Sequence, residues 1–274
     1  MDSNYALLRL QVEWGADEAI DPDPIDRLRP VDSNPADSTP IPLLRPAPVA
    51  EQSKRVAEQA KRVAAPSQGT AGERALALAG QSATLDGLRA ALTGFDGCAL
   101  RDTASNLVFA EGDPSSNILI IGEPPGREED RGGHPFAGPE GQLLDQMLAS
   151  IGLSRAALML TPLLPWRPPG GRPPSPAEIA LCLPFLHRLI VLLKPHRMVL
   201  FGGTVARTVL PQTPNRRRNP RLWVESSIPG MHTALPTLAL PGLAEMLKNP
   251  LVRRDAWAGL RLLRRGMNEL ETQT

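Results

Sequence analysis

Cysteine is scarce in this 274-residue chain. Its 2 cysteines are too few for a disulfide framework or a four-cysteine metal site. No run of about 18 apolar residues stands out, so no membrane-spanning segment is expected. The first residues lack a basic stretch leading into an apolar one, so no secretory signal is expected and a cytoplasmic protein is the default. An excess of one charge is also missing: 30 Lys+Arg stand against 29 Asp+Glu, a net of +1. Taken whole, that balance looks wrong for a nucleic-acid binder. The length allows one large domain, or one domain with a tail.

The even balance hides a dipole. Residues 1–40 hold 9 acids and only 3 bases (Arg9, Arg27, Arg29), a net of −6, and the remainder carries +7. From residue 201 onward there are 11 bases and 5 acids, so a polyanion should meet the C-terminal third. Residues 6–20, with Leu7, Leu8, Leu10, Val12, Trp14 and Ile20 among polar neighbours, predict a short amphipathic helix. Trp14 in this acidic arm suggests docking, on the body or on a protein partner. Residues 21–72 read as a Pro-rich linker, mostly disordered, with an exposed helix possible over 50–64. Residues 73–93 look helical, with an apolar face at Leu76, Leu78, Leu85, Leu88 and Leu92 and Asp86 as an N-cap candidate.

The body, 73–271, alternates strand-like and helix-like runs. Strands are expected at Asn117–Ile121, Ala157–Thr161, Met198–Phe201 and Leu235–Leu240. Helices are expected at Gly141–Ile151, Pro176–Leu193, Thr204–Leu210 and Leu251–Glu269. This order predicts an α/β fold, a central four-stranded parallel sheet covered on both faces in three α/β/α layers, with an N-terminal helical or disordered extension. Such sheets bind ligands at the carboxyl ends of their strands. The loop after the first strand reads Gly122-Glu123-Pro124-Pro125-Gly126-Arg127-Glu128-Glu129-Asp130, then His134-Pro135-Phe136-Ala137-Gly138. It contains neither Gly-Lys-Ser/Thr nor GxGxxG, which argues against a phosphate loop. A rigid turn, a carboxylate at the strand end and a downstream aromatic suit a pocket for a planar ring.

These residues carry a specific resemblance. Gly122–Asp130, His134–Gly138, Gly141-Gln142-Leu143-Leu144 and Met147-Leu148 resemble the leading motif of the family 4 uracil-DNA glycosylases. Thr161, Arg167-Pro168-Pro169-Gly170-Gly171-Arg172, Glu178-Ile179 and Cys182–Leu186 resemble the stretch that follows in that family. The resemblance covers most of 95–265 and implies the three-layer fold, flipping of a damaged base out of DNA, and hydrolysis of its N-glycosidic bond in base-excision repair. It implies Glu123 as the catalytic carboxylate and Phe136 as the ring that stacks on the base. Gly122, Pro124, Pro125, Gly126, Glu129 and Pro162 complete the pocket it implies. Glu129 stands where supporting the turn and direct chemistry are both open. Arg167, Arg172, Arg216, Arg217, Arg218, Arg221 and Lys248, with Arg253 and Arg254, are its candidates for DNA phosphates.

Four departures qualify the transfer. The family's four iron–sulfur ligands fall on Phe95, Cys98, Trp166 and Cys182, so no cluster and no metal is expected, and the two thiols read as buried apolar remnants. The family's base-reading Asn falls on Pro162. Its second-motif histidine falls on Leu240-Pro241-Gly242 or on Gly242, a register open by two positions, and only a folded-back loop could bring His232 there. Two readings follow: a monomeric glycosylase for uracil or a related deaminated base in single- or double-stranded DNA, or a catalytically degenerate relative that binds DNA or a repair partner.

Overall fold

The computed structural model describes residues 69–210 and 222–271, with side chains to 267. The expected arm helix, the linker up to residue 68 and the helix over 50–64 lie outside the described residues, as do Arg216, Arg217, Arg218 and Arg221.

The first described helices are α1 (Ala71–Gln81) and α2 (Leu85–Gly94). The apolar spacing over 73–93 predicts one helical stretch, and the structure breaks it in two. The Ser82 hydroxyl donates back to the Leu78 carbonyl, and Ser82 itself is extended. Thr84, not Asp86, is the N-cap of α2, because its hydroxyl accepts from the Gly87 amide at 3.1 Å; Asp86 sits in the first turn. Thr70 and Glu73 form a capping box on α1, which starts two residues inside the stretch read as linker.

The remaining elements are α3 (Leu100–Thr103), β1 (Glu111–Gly112), β2 (Ile118–Gly122), α4 (Arg127–Gly132), α5 (Gly138–Ser150) and β3 (Met159–Pro162). After them come α6 (Pro176–Leu193), β4 (Arg197–Phe201), α7 (Gly203–Val209), β5 (Trp223–Ser226), β6 (Leu235–Leu240), α8 (Leu243–Lys248) and α9 (Pro250–Glu271).

The strands form one sheet in the order β1-β3-β2-β4-β6-β5. The four expected strands are its parallel centre, in register as Ile121↔Thr161, Ile121↔Leu200 and Leu200↔Ala239. The two antiparallel edges, β1 on β3 and β5 on β6, were not legible in the sequence. β1 is two exposed residues, and β5 carries only four.

Burial on both faces explains the continuous apolar character of the central strands. Along β2, Leu119 and Ile121 enter a core shared with α1, α2, α6 and α7, while Ile118 and Ile120 enter a second core shared with α5, α8 and α9. Against the expectation, α6 is 18 residues long and apolar enough in composition to cross a bilayer, with a mean hydropathy of 1.7. Here it packs Cys182, Phe185, Leu186, Leu189 and Ile190 into the first core, and Arg188 donates to the Ser82 carbonyl at 2.7 Å.

Candidate active site

Four neighbouring parallel strands end together, and the residues at or just past their ends build the site. These are Gly122-Glu123 after β2, Pro162 on β3, Gly202 after β4 and Gly242 after β6. Glu123 is half-buried, and its carboxylate lies against both glycines. A Cβ on Gly202 would overlap Glu123 Cγ, and Gly202 is at φ +107, a conformation that suits glycine. A Cβ on Gly242 would come within 2.9 Å of Glu123 Oε2. The backbone N–H of Thr204, in the first turn of α7, donates to the Glu123 carboxylate. Burial raises the Glu123 pKa, and the charges of Glu140 and Glu245 push the same way; the Thr204 amide and Arg207 oppose them.

In one of the two registers the resemblance allows, Gly242 falls where a histidine is expected; in the other, Leu240-Pro241-Gly242 stands there. A side chain at Gly242 would press on Glu123 Oε2, the far end of that side chain, which would have to shift to admit it. His232 precedes β6 and lies at the opposite end of the sheet, beside Lys194 and His196, so it does not reach Glu123.

The cleft beside Glu123 is small, about 20 Å³, and opens to solvent. Gly122, Glu123, Pro124, Glu129, Phe136 and Glu140 line it, with Pro162, Phe201 and Leu243 completing the wall. Phe136 is the buried aromatic, 5% exposed, and it sits in the left-handed region at φ +54. Such a conformation is strained for an aromatic residue and needs support. Glu129 supplies it: one oxygen accepts the Phe136 amide and the other the Gly126 amide, both at 2.6 Å. With both oxygens on backbone amides, Glu129 straps the loop. Burial raises its pKa, and the two amides pull it back. On the far side, Arg155 donates to the carbonyls of Pro135 and Phe136 and is paired with Asp145 at 2.9 Å. Gly122 is required because a Cβ would stand 2.6 Å from the Phe136 ring. The ring meets Phe201 edge-on, 6.5 Å between centroids. Pro125 is buried behind the turn, and Gly126 caps α4.

Sequence reasoning missed Glu140, Arg155, Gly202 and Thr204. Glu140 stands in the first turn of α5, where an acid is ordinary, so nothing local marked it. Burial raises its pKa, and Lys248 opposes that. Lys248, at the end of α8, therefore stands near the cleft. The other basic candidates diverge. Arg167 is half-buried, with its Nε buried and unpaired. Arg172 is held in a two-pronged ion pair with Glu178, which drops the Glu178 pKa to about 2. Arg253 donates twice to the Met246 carbonyl.

Cys98 and Cys182 are both 1% exposed and hydrogen-bonded to each other, which holds the Cys98 thiol down to about 7 and pushes Cys182 up. Phe95 and Trp166 are buried in the same core. Two thiols beside two packed aromatic rings do not fit the donor set of an iron–sulfur cluster. Among the described residues, no group of three or more His, Cys, Asp or Glu side chains is placed to hold a metal ion.

A sequence model described as the uracil DNA glycosylase superfamily matches residues 109–261. Among similar proteins, the type-4 uracil-DNA glycosylase of Archaeoglobus fulgidus is 40% identical over 112 residues, 41% of this chain and 56% of that protein. The type-4 uracil-DNA glycosylase of Pyrobaculum aerophilum is 37% identical over 115 residues, 42% of this chain and 59% of that protein. That of Sulfurisphaera tokodaii is 41% identical over 106 residues, 38% of this chain and 48% of that protein. The aligned region thus spans between about half and three fifths of each relative's length.

Proposed function

The chain belongs to the uracil DNA glycosylase superfamily, and from that premise we propose that it hydrolyses the N-glycosidic bond of a deaminated base, uracil first among them, in DNA. The observation that carries this reading is the half-buried Glu123 carboxylate fixed at the end of β2 beside the Phe136 ring. The target base leaves the duplex, enters the cleft and stacks on Phe136. As the glycosidic bond lengthens, the sugar gains oxocarbenium character. The Glu123 carboxylate stabilises that cation and orients water toward C1′. Lys248 and Arg167 are its proposed phosphate contacts on the body, and the basic run at 216–221 adds positive charge for the same backbone. The reaction as proposed uses the chain's own residues and takes place in the cytoplasm on a monomer.

The test is incubation with uracil-containing oligonucleotides, single-stranded and paired with guanine, followed by alkaline cleavage of abasic sites. Strand scission is expected, and Glu123→Ala should reduce it by about 10²–10⁴-fold. A second reading, binding to DNA or a repair partner without chemistry, is favoured by Pro162 and Gly242, which put no side-chain donor at two places beside the cleft. Salt-sensitive binding to the same oligonucleotide with no scission is the result that selects it.

A further inference from the structure

The outer face of the last helix serves neither the core nor the cleft. α9 packs Ala256, Leu260 and Leu263 into the second core. On the other side Arg254, Trp257, Arg261 and Arg265 are all exposed. Steps of three, four and four residues set these four in a single stripe along the helix. At 1.5 Å per residue the stripe is about 16 Å long. Trp257 stands between arginines with 40% of its surface exposed, and Leu251, 63% exposed, lies one turn before Arg254. Among the described residues, no carboxylate pairs with these three arginines, and no ring or cation packs on Trp257. Asp255 sits about 100° round the helix from Arg254, off the stripe.

The stripe starts near the cleft and leads away from it. α8 follows Gly242, which abuts Glu123, and Lys248 at the end of α8 faces Glu140 of the cleft wall. α9 begins two residues later, at Pro250. Near its other end Gly266 lies against Arg197, the first residue of β4. The helix therefore runs back along the sheet, from the carboxyl ends of the strands toward their amino ends.

Charge and ring together choose the occupant. Guanidinium groups hold phosphates, and the indole between them offers a flat face. A duplex keeps the faces of its bases inside the stack, so it can use the arginines but not the ring. A single strand can turn its bases outward, and every base has a face to stack. A lipid surface fits less well, because the apolar side of α9 is spent on the core and only Trp257 and Leu251 would enter the bilayer.

We infer that this stripe is a track for single-stranded DNA: the strand leaving the cleft lays its phosphates on Arg254, Arg261 and Arg265 and stacks a base on Trp257. The inference rests on the DNA reading above and not on the chemistry of the cleft.

The experiment measures binding of the full-length protein to a single-stranded thymine oligomer and to a duplex of equal length, over a range of salt. Trp257→Ala should weaken single-strand binding roughly 5- to 100-fold and duplex binding by less than about twofold, with Trp257→Phe keeping most of the affinity. Its slope of log affinity against log salt should match that of the parent chain, whereas glutamine at all three arginine positions should lower the single-strand slope by about 2. Equal losses on strand and duplex in Trp257→Ala, or no loss on either, overturn the inference. So does a slope that the triple variant leaves unchanged, or adsorption to phosphatidylserine vesicles that Trp257→Ala abolishes while single-strand binding persists. Scission of uracil-containing DNA without these losses leaves the glycosylase reading standing and removes the track. The losses without scission support the track and overturn the glycosylase reading alone.

Discussion

Glu123 is held in a slot that penalises its charge, and the sign of that penalty has two consequences. Burial and the neighbouring acids raise its folded-state pKa, so it stays protonated to a higher pH than a solvated glutamate. The carboxylate is the working form, so kcat/KM for base release should fall with decreasing pH along a limb centred above the ordinary glutamate value of about 4.3. A pH–rate profile checks this, and Glu123→Gln should abolish the limb together with most of the activity. Stability runs the other way. Between the unfolded and the raised folded pKa the folded chain binds more protons, so the Glu123 contribution weakens as pH rises through that window. Glu123→Gln should therefore raise Tm near neutral pH by roughly 2 °C, an increment that shrinks as pH falls below the unfolded value. The position and type of this residue could be read from the sequence, because a carboxylate directly after a buried strand is a local pattern. Its confinement could not, because Gly202 and Gly242 lie 79 and 119 positions away and meet it only through parallel strand pairing.

At the scale of elements, the loop from β2 to α5 works as a strapped unit. Glu129 spans its two ends, and Arg155 grips the Phe136 carbonyl from behind. Glu129→Ala removes two charge-assisted acceptors and frees Phe136 from its left-handed conformation. It should cost about 2–4 kcal/mol in urea unfolding and lower activity with little change in DNA binding. Phe95 and Trp166 pack where the resemblance expects two cluster ligands, and each is at most 3% exposed. Trp166→Ala should cost about 3–5 kcal/mol by opening a cavity, and iron should not restore the loss in refolding. The parallel centre of the sheet was legible because burial on both faces leaves unbroken apolar runs. The edge strands β1 and β5 were not, because short strands exposed along one side carry no such signal. The break between α1 and α2 was misread because Leu88 and Leu92 continue the apolar spacing across it, while a side-chain bond from Ser82 and a cap from Thr84 decide it.

Across the whole molecule, charge is segregated along the sequence: −6 over residues 1–40 against +7 for the rest. Removing residues 1–40 takes the net charge from +1 to +7. Affinity for a DNA duplex should rise about tenfold at 50 mM salt, and the gain should fade as screening grows. Titration of binding against ionic strength, with and without those residues, measures it. The carboxyl ends of the strands hold Glu123, Phe136 and Lys248, and the opposite end holds His232, His196 and Lys194. The glycines flanking Glu123 also bear on how this chain could change. A Cβ at position 242 would stand 2.9 Å from Glu123 Oε2, so any side chain there must first displace that oxygen. Gly242→Ala should lower base release by shifting the carboxylate, and should leave more activity than Glu123→Ala.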